Sequence, residues 1–348
     1  MPETDRLLGV VEGFYGQPWR WSERRAYAGY LRDLGLNTFL YAPKADAYLR
    51  KRWRESWPVS ERQELALTAR EYRRSGLRWG VGLSPYALYA NYRGEAKQAL
   101  RNKVLEIEDT GCNLLALLFD DMPGHSADLA AVQAEIVADV RRWSSSGSVL
   151  LCPTYYSLDP ALEKHFGPRP PDYWAELGRL VDPQVQIFWT GNNVVSSTIS
   201  SADLVAITAQ LRRRPVLWDN YPVNDGAAMV EYLHLAPLAG RSPDLPAATA
   251  GHLCNPMNQP QLSRYPLGGL AALYGGVAPP LASIYSKRLA RLLSRDQARF
   301  QYEGLGKLDQ QQREVLIAEY SECDDDAARE VVDWLKGRYA FDPDCLTG

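Results

Sequence analysis

Leu114-Leu115-Ala116-Leu117-Leu118-Phe119-Asp120-Asp121-Met122-Pro123-Gly124 is the stretch whose reading decides the fold. An apolar run with no period-2 alternation stops on two acids and a turn. Such a run reads as a strand buried on both faces, hence a parallel strand of an α/β protein. In a parallel barrel the C-terminal strand ends face the active site. Asp120 and Asp121 then stand where chemistry takes place. The plainer use of the two acids is to cap the next helix, which the pattern starts near Ser126.

Outward from this stretch the same alternation repeats. Upstream, 7–16 is a strand running through Glu12 into a turn bearing Gly13 and Gly16. Strands follow over 37–44 and 77–83, with helices over 22–34, 60–74 and 95–110 and Ser22 as the first N-cap. Downstream, helices over 126–143, 172–180 and 201–212 alternate with strands over 149–156, 184–190, 215–220 and 248–255, and a last helix begins near Leu267. Eight strand-then-helix units match a (β/α)8 TIM barrel, usually about 250 residues long. An open doubly wound sheet is the structural alternative. Gly13-Phe14-Tyr15-Gly16 is not the GxGxxG that a dinucleotide-binding sheet carries. Beyond the barrel the strand pattern disappears, and 283–298, 309–321 and 325–338 read as amphipathic helices. The predicted organisation is an α/β barrel over 1–282 and a small C-terminal helical region over 283–348.

Composition narrows the function classes. The 348 residues are 46% hydrophobic and 23% charged with a net charge of −3, which points to neither a nucleic-acid nor a membrane partner. Ten Trp and 20 Tyr against 7 Phe supply amphipathic rings that suit sugar faces, cores and barrel rims alike. Cys112, Cys152, Cys254, Cys323 and Cys345 are scattered without CxxC spacing, so reduced thiols and no zinc site are expected. The apolar patch 7–11 is too short for a signal sequence, and a cytoplasmic location is expected. The oligomeric state is not legible.

The polar residues at the strand ends are Gly13 and Tyr15, Lys44, Asp120 and Asp121, Tyr156, Thr190, Asn220 and Asp225, and Asn255. Tyr41, Trp189 and Trp218 lie among them. Singly each has an ordinary reading: Lys44 as a solvated lysine, the two Asn as turn residues, Asp225-Gly226 as a turn signal. Together they fall on one face of one barrel and should converge on a polar, aromatic-walled pocket. His125, His165, His234 and His252 do not form the His pair of barrel metallohydrolases. Asp120, Asp121 and His125 as a hard-cation cage is the minor alternative. No metal and no cofactor are expected, and no nucleophile elbow supports a catalytic serine.

Carbohydrate chemistry fits the acid pair. Most glycosidases place two carboxyls on opposite sides of the scissile bond. Neighbouring acids at one strand end approach from a single side, leaving no protein nucleophile opposite. The natural solution is a nucleophile carried by the substrate, a 2-acetamido carbonyl attacking its own anomeric carbon. One acid orients the amide and stabilises the cyclic oxazoline. The other protonates the leaving oxygen and then activates water. Two carboxyls this close also favour sharing one proton.

At these residues the chain resembles glycoside hydrolase family 84, the O-GlcNAcase catalytic barrel. The resemblance covers roughly Val10 to Ala272. It rests on Val11-Glu12-Gly13-Phe14-Tyr15-Gly16, Tyr41-Ala42-Pro43-Lys44, Phe119-Asp120-Asp121 and Cys152-Pro153-Thr154-Tyr155-Tyr156. It continues with Trp189-Thr190-Gly191, Pro215-Val216-Leu217-Trp218-Asp219-Asn220, Asn224-Asp225 and Asn255-Pro256. It implies a retaining β-N-acetylglucosaminidase that removes O-linked GlcNAc from Ser or Thr of glycoproteins by substrate-assisted catalysis. By resemblance, Asp120 orients the acetamido group and Asp121 is the general acid/base. Tyr156 hydrogen-bonds around the acetamido group or the leaving oxygen, and Gly13 and Lys44 contact sugar hydroxyls. Asn220 and Asn255 hold the acetamido group or ring hydroxyls, Asp225 accepts from the 4- and 6-hydroxyls, and Trp218 walls the acetyl pocket. Gly226 departs from the pattern, since relatives can carry an aromatic residue there; this bears on aglycone contacts. The helical tail matches the family's habit of following the barrel with helices. The alternatives are a hyaluronidase-like enzyme acting on free glycans and a barrel that binds GlcNAc without turnover. The partner is a GlcNAc-modified protein or glycan.

Overall fold

Each apolar run becomes a strand: β1 (Leu7–Glu12), β2 (Thr38–Tyr41), β3 (Arg78–Leu83), β4 (Leu114–Leu118), β5 (Val149–Cys152), β6 (Gln186–Trp189), β7 (Val216–Asp219) and β8 (Gly251–Cys254). In this computed structural model, which describes residues 6–120, 122–124 and 126–339, the strands pair in parallel in sequence order. β1 then closes the barrel on β8, with Leu7 opposite Gly251. All five residues of β4 are buried, as a strand covered on both faces requires. Gly9 lets β1 approach β2: a Cβ there would lie 1.9 Å from the Thr38 carbonyl oxygen.

Helices Trp21–Asp33, Val59–Arg74, Gly94–Asp109, Leu129–Trp143, Tyr173–Leu180, Val205–Leu211 and Arg264–Leu273 form the outer layer. The first is not capped by Ser22. Arg20 is its N-cap residue, and Glu23 reaches back to the Arg20 backbone N–H at 2.7 Å. Strands end earlier than their apolar runs. Pro43-Lys44 and Pro153–Tyr156 leave the ladder because proline donates no N–H and the chain must turn over the barrel mouth. Helix Pro160–Phe166, capped by Asp159, had no apolar stripe long enough to announce it. Among the described residues no disulfide joins Cys112, Cys152, Cys254 or Cys323; Cys345 lies outside them. No helix among the described residues is long and apolar enough to cross a membrane.

Past the barrel come helices Leu281–Ile284, Lys287–Ala298, Gln310–Ser321 and Asp326–Leu335. The run 283–298, read as one helix, is two, because Ser286 is extended and accepts from the Leu289 N–H as a new N-cap. These helices share a second apolar cluster with Leu233, Leu235, Met257 and Leu262 of the barrel loops. Glu330 fastens this joint by accepting from the backbone N–H groups of Gln261 at 3.0 Å and Leu262 at 2.9 Å.

Burial pushes the Glu330 carboxyl up to about 8 from an ordinary 4.5, against the pull of those two donors. The fold therefore favours the neutral acid. The stability this contributes is whole at and below about pH 4.5 and is lost as pH rises towards 8. The urea midpoint of the wild type should fall across that window more steeply than that of Glu330→Gln. Parallel slopes would count against the assignment.

Candidate active site

Residues at or just past the ends of several strands meet above the barrel. Lys44 follows β2 and Asp120 follows β4, and the Lys44 ammonium donates to Asp120 Oδ2. Both are buried, at 6% and 7% exposure, so this is an ion pair withdrawn from water. Arg50 donates from Nη1 to the Lys44 carbonyl at 2.9 Å, fixing the backbone from which the ammonium extends. The Tyr15 ring lies beneath both cations, 5.8 Å from Lys44 Nζ and 5.4 Å from the Arg50 guanidinium.

Opposite the ion pair stands an amide cluster. Asn255 accepts from the Gly13 N–H at 3.2 Å and donates to Asn220 Oδ1 at 3.1 Å. Trp218 Nε1 donates to the same oxygen at 3.0 Å, and Asn220 Nδ2 donates to the Val194 carbonyl at 2.8 Å. These partners settle which end of the Asn220 amide is oxygen. Gly13 is obligatory here, since a Cβ would fall 2.2 Å from the Trp218 ring. Asp225, in the loop after β7, accepts from the Tyr15 N–H at 2.8 Å and so tethers that loop to β1.

Gly13, Lys44, Asp120, Tyr156, Trp218, Asn220, Asp225 and Asn255 all line one cavity of about 200 Å³. It is small against the roughly 300–1,000 Å³ of drug-sized sites. Asp121, the second acid of the pair, lies outside the described residues, as does His125. Tyr41 and Trp189 do not line this cavity. Tyr41 bonds Asp46 and stacks near Trp79, and Trp189 packs edge-on against Trp174. The cavity is also lined by Tyr15, Cys152, Thr190, Val194, Val195 and Val223. Tyr15, Cys152 and Thr190 sit within strand-end motifs and carried a signal. The valines belong to loops whose course no local pattern reveals. A larger groove of about 780 Å³ runs along the outer helices beside Val59, Leu67 and Leu105, away from every strand end.

The described residues include one set with metal-like spacing, Asp219, His252 and Cys254, whose ligand atoms lie within 4.8 Å of one another. Two of its three ligands are already engaged. Arg241 grips both Asp219 oxygens at 2.5 and 2.7 Å, and His252 Nε2 lies 2.8 Å from Oδ2. Burial would raise the Asp219 carboxyl, but these bonds outweigh it and hold it below its ordinary value. Beside a guanidinium, a divalent cation has no place. Glu12, at the end of β1, likewise turns outward to a buried fork with Arg24 at 2.7 and 2.8 Å.

Protein O-GlcNAcase of Rattus norvegicus is 31% identical over 262 residues, covering 72% of this chain and 28% of the relative. The Mus musculus protein of the same name is 32% identical over 259 residues, with the same coverage. The chain thus spans 28% of the length of these relatives. A solved mutant of the Thermobaculum terrenum O-GlcNAc hydrolase superposes with a TM-score of 0.74 at 27% identity, covering 94% of this chain and 80% of that one. The family described as beta-N-acetylglucosaminidase matches residues 8–278, from the first strand to beyond the last barrel helix. With its eight-stranded barrel and the polar cavity at the strand ends, this chain belongs to that family, glycoside hydrolase family 84.

Proposed function

We propose that the chain is a retaining β-N-acetylglucosaminidase that removes O-linked GlcNAc from Ser or Thr of glycoproteins, with the substrate's acetamido group as nucleophile. The observation that carries this reading is the buried Lys44–Asp120 pair facing the amide cluster of Asn220 and Asn255 across a sugar-sized cavity. A buried ammonium stabilises its neighbour as the anion. Asp120 is then the charged partner that orients the acetamido N–H and offsets positive charge as the ring closes. Of two adjacent acids the other keeps the proton, and that acid is Asp121.

In the first step the acetamido carbonyl oxygen bonds to the anomeric carbon. The bond from that carbon to the aglycone breaks, and the Asp121 proton passes to the leaving oxygen. In the second step Asp121, now a base, takes a proton from water as the water oxygen opens the oxazoline. Two inversions return the original β configuration. Trp218 walls the acetyl group, Asn220 and Asn255 hold the amide or ring hydroxyls, and Tyr156 bonds near the reacting acetamido or leaving oxygen. Gly13 and Lys44 meet sugar hydroxyls, and Asp225 accepts from the 4- and 6-hydroxyls. Support for a protein-borne substrate comes from the relatives named Protein O-GlcNAcase. Product analysis on O-GlcNAc-modified protein beside free chitobiose separates that substrate from a small glycan.

The decisive assay sets an aryl N-acetylglucosaminide beside the matching glucoside. Only the former should be cleaved; equal cleavage ends the substrate-assisted reading. Asp121→Ala should lose roughly 10²–10⁴-fold on substrates with poor leaving groups. On activated aryl glycosides, whose leaving oxygen needs no proton, the loss should be much smaller. Asp120→Asn should damage both. Uniform losses from Asp121→Ala would contradict a proton donor.

Gly13→Ala gives a geometric test. The added methyl displaces the Trp218 ring, and misplacement of about 1 Å in such a site costs about 100-fold. Steady-state kinetics should show kcat/KM falling by that order. Unchanged kinetics would separate Trp218 from the sugar site.

A further inference from the structure

Between Trp218 and Asn220, which line the cavity, strand alternation turns Asp219 outward into the layer between barrel and helices. There it is 1% exposed, where an unpaired carboxylate is untenable. Its partner comes from far along the chain. Arg241 Nε and Nη2 donate to the two Asp219 oxygens at 2.7 and 2.5 Å. Nη1 of the same guanidinium donates to the carbonyls of Ser197 at 2.9 Å and Ala239 at 3.0 Å. His252 supplies a further contact to Asp219, and since a carboxylate only accepts, its proton sits on Nε2.

Arg241 therefore joins the end of β7 to the loop after β6. Its backbone does so again. Arg241 forms an isolated parallel bridge with Ile199, whose N–H donates to Gly240 at 2.9 Å and whose carbonyl accepts from Ser242 at 3.0 Å. That loop carries Val194 and Val195 to the cavity, and the Val194 carbonyl holds the Asn220 amide. On the other side the Asp219 carbonyl accepts from the Asn255 N–H at 2.8 Å. One ion pair that does not line the cavity thus braces the segments carrying Trp218, Asn220 and the valine wall, the last also held by Asp159, which accepts from the Val194 N–H at 3.0 Å.

We propose that Arg241, with Asp219 and His252, is a positioning set that fixes the wall of the N-acyl pocket and thereby sets which 2-acylamido group the site accepts. This rests on the reading of the cavity as an N-acetylglucosaminide site. A fixed wall discriminates by shape: one methylene in a tight pocket is worth roughly 10–200-fold. Once the loop is released, the wall yields to a longer acyl chain and grips the acetyl group less firmly.

The test uses the full chain and two aryl glycosides differing only in the 2-substituent, acetamido or propionamido. The readout is the ratio of their kcat/KM values, which is independent of the fraction of enzyme folded. Arg241→Lys keeps the charge but loses the fork. It should lower kcat/KM on the acetamido substrate at least about tenfold and lower the acetyl-to-propionyl ratio at least about fivefold. Asp219→Asn should move the ratio in the same direction. His252→Gln keeps a donor towards Asp219 and leaves Arg241 in place; it should shift the ratio less, and it serves if the other two do not fold. A purely structural role lowers both substrates alike. A ratio equal to wild type in the folded variants overturns the proposal while leaving the functional reading intact. A wild type that cleaves neither glycoside removes the functional reading, and the positioning set with it.

Discussion

The cavity at the strand ends is built around a lysine buried against an aspartate. Lys44 and Asp120 come from strand ends 76 residues apart, brought together because β2 and β4 both pair with β3. Removing two charges from water costs several kcal/mol per ion, and a buried pair returns little net stability. Breaking such a pair by removing one partner typically costs about 3–5 kcal/mol. The pair is therefore a poor way to hold a barrel together; what it does is place an ammonium and a carboxylate side by side at the cavity. Arg50 and Tyr15 extend the same logic, one anchoring the Lys44 backbone and the other offering a ring face to both cations.

Strand alternation then splits the charged residues into two classes. Those pointing into the mouth gather at the cavity. Those pointing outward at the same strand ends, Glu12 and Asp219, are each gripped by a two-pronged arginine, Arg24 and Arg241. Arginine suits this task because its planar fork answers both carboxylate oxygens at once. The two outward pairs brace the backbone of Gly13 on one side and of Trp218 and Asn220 on the other. Burial decides the details: it raises the Glu12 carboxyl in spite of Arg24, whereas Asp219, with a second partner in His252, is held low.

Much of this was legible in the chain. Strands buried on both faces advertise themselves as unbroken apolar runs, so 114–118 and its counterparts and the closed barrel followed from local pattern. The cavity followed from topology, because the strand-end residues on the inward side of the pleat reach the same mouth. What stayed hidden depends on distant chain. Ser22 looked like a helix cap because serine often is, but Arg20 and Glu23 close the first turn by a side-chain exchange no simple cap rule anticipates. Val194 and Val195 sit in a loop with no periodicity, held by Asp159 some 35 positions before it and by Arg241 more than 40 positions onward. Tyr41 and Trp189 were drawn into the expected pocket by position alone, whereas the pleat directs them to the outer layer.

The helical tail enters the same argument through the loop after β7. Sequence texture changes near 282, yet packing crosses that point. The loop holding Asp225 must satisfy its own backbone groups, and it does so in part with the tail. The Leu233 N–H donates to the Phe300 carbonyl at 3.1 Å, the Leu305 N–H to the Glu231 carbonyl at 2.9 Å, and Trp334 Nε1 to the Val230 carbonyl at 3.1 Å. Asn224, immediately before Asp225, is held by Gln259 and by the Asn258 N–H. Asp225 is thus suspended between Tyr15 of the first strand end and a loop whose far side rests on helices that contribute no residue to the cavity. A barrel this size can close without such helices, but the carboxylate at its rim needs a floor beneath its loop, and in this chain the tail provides it.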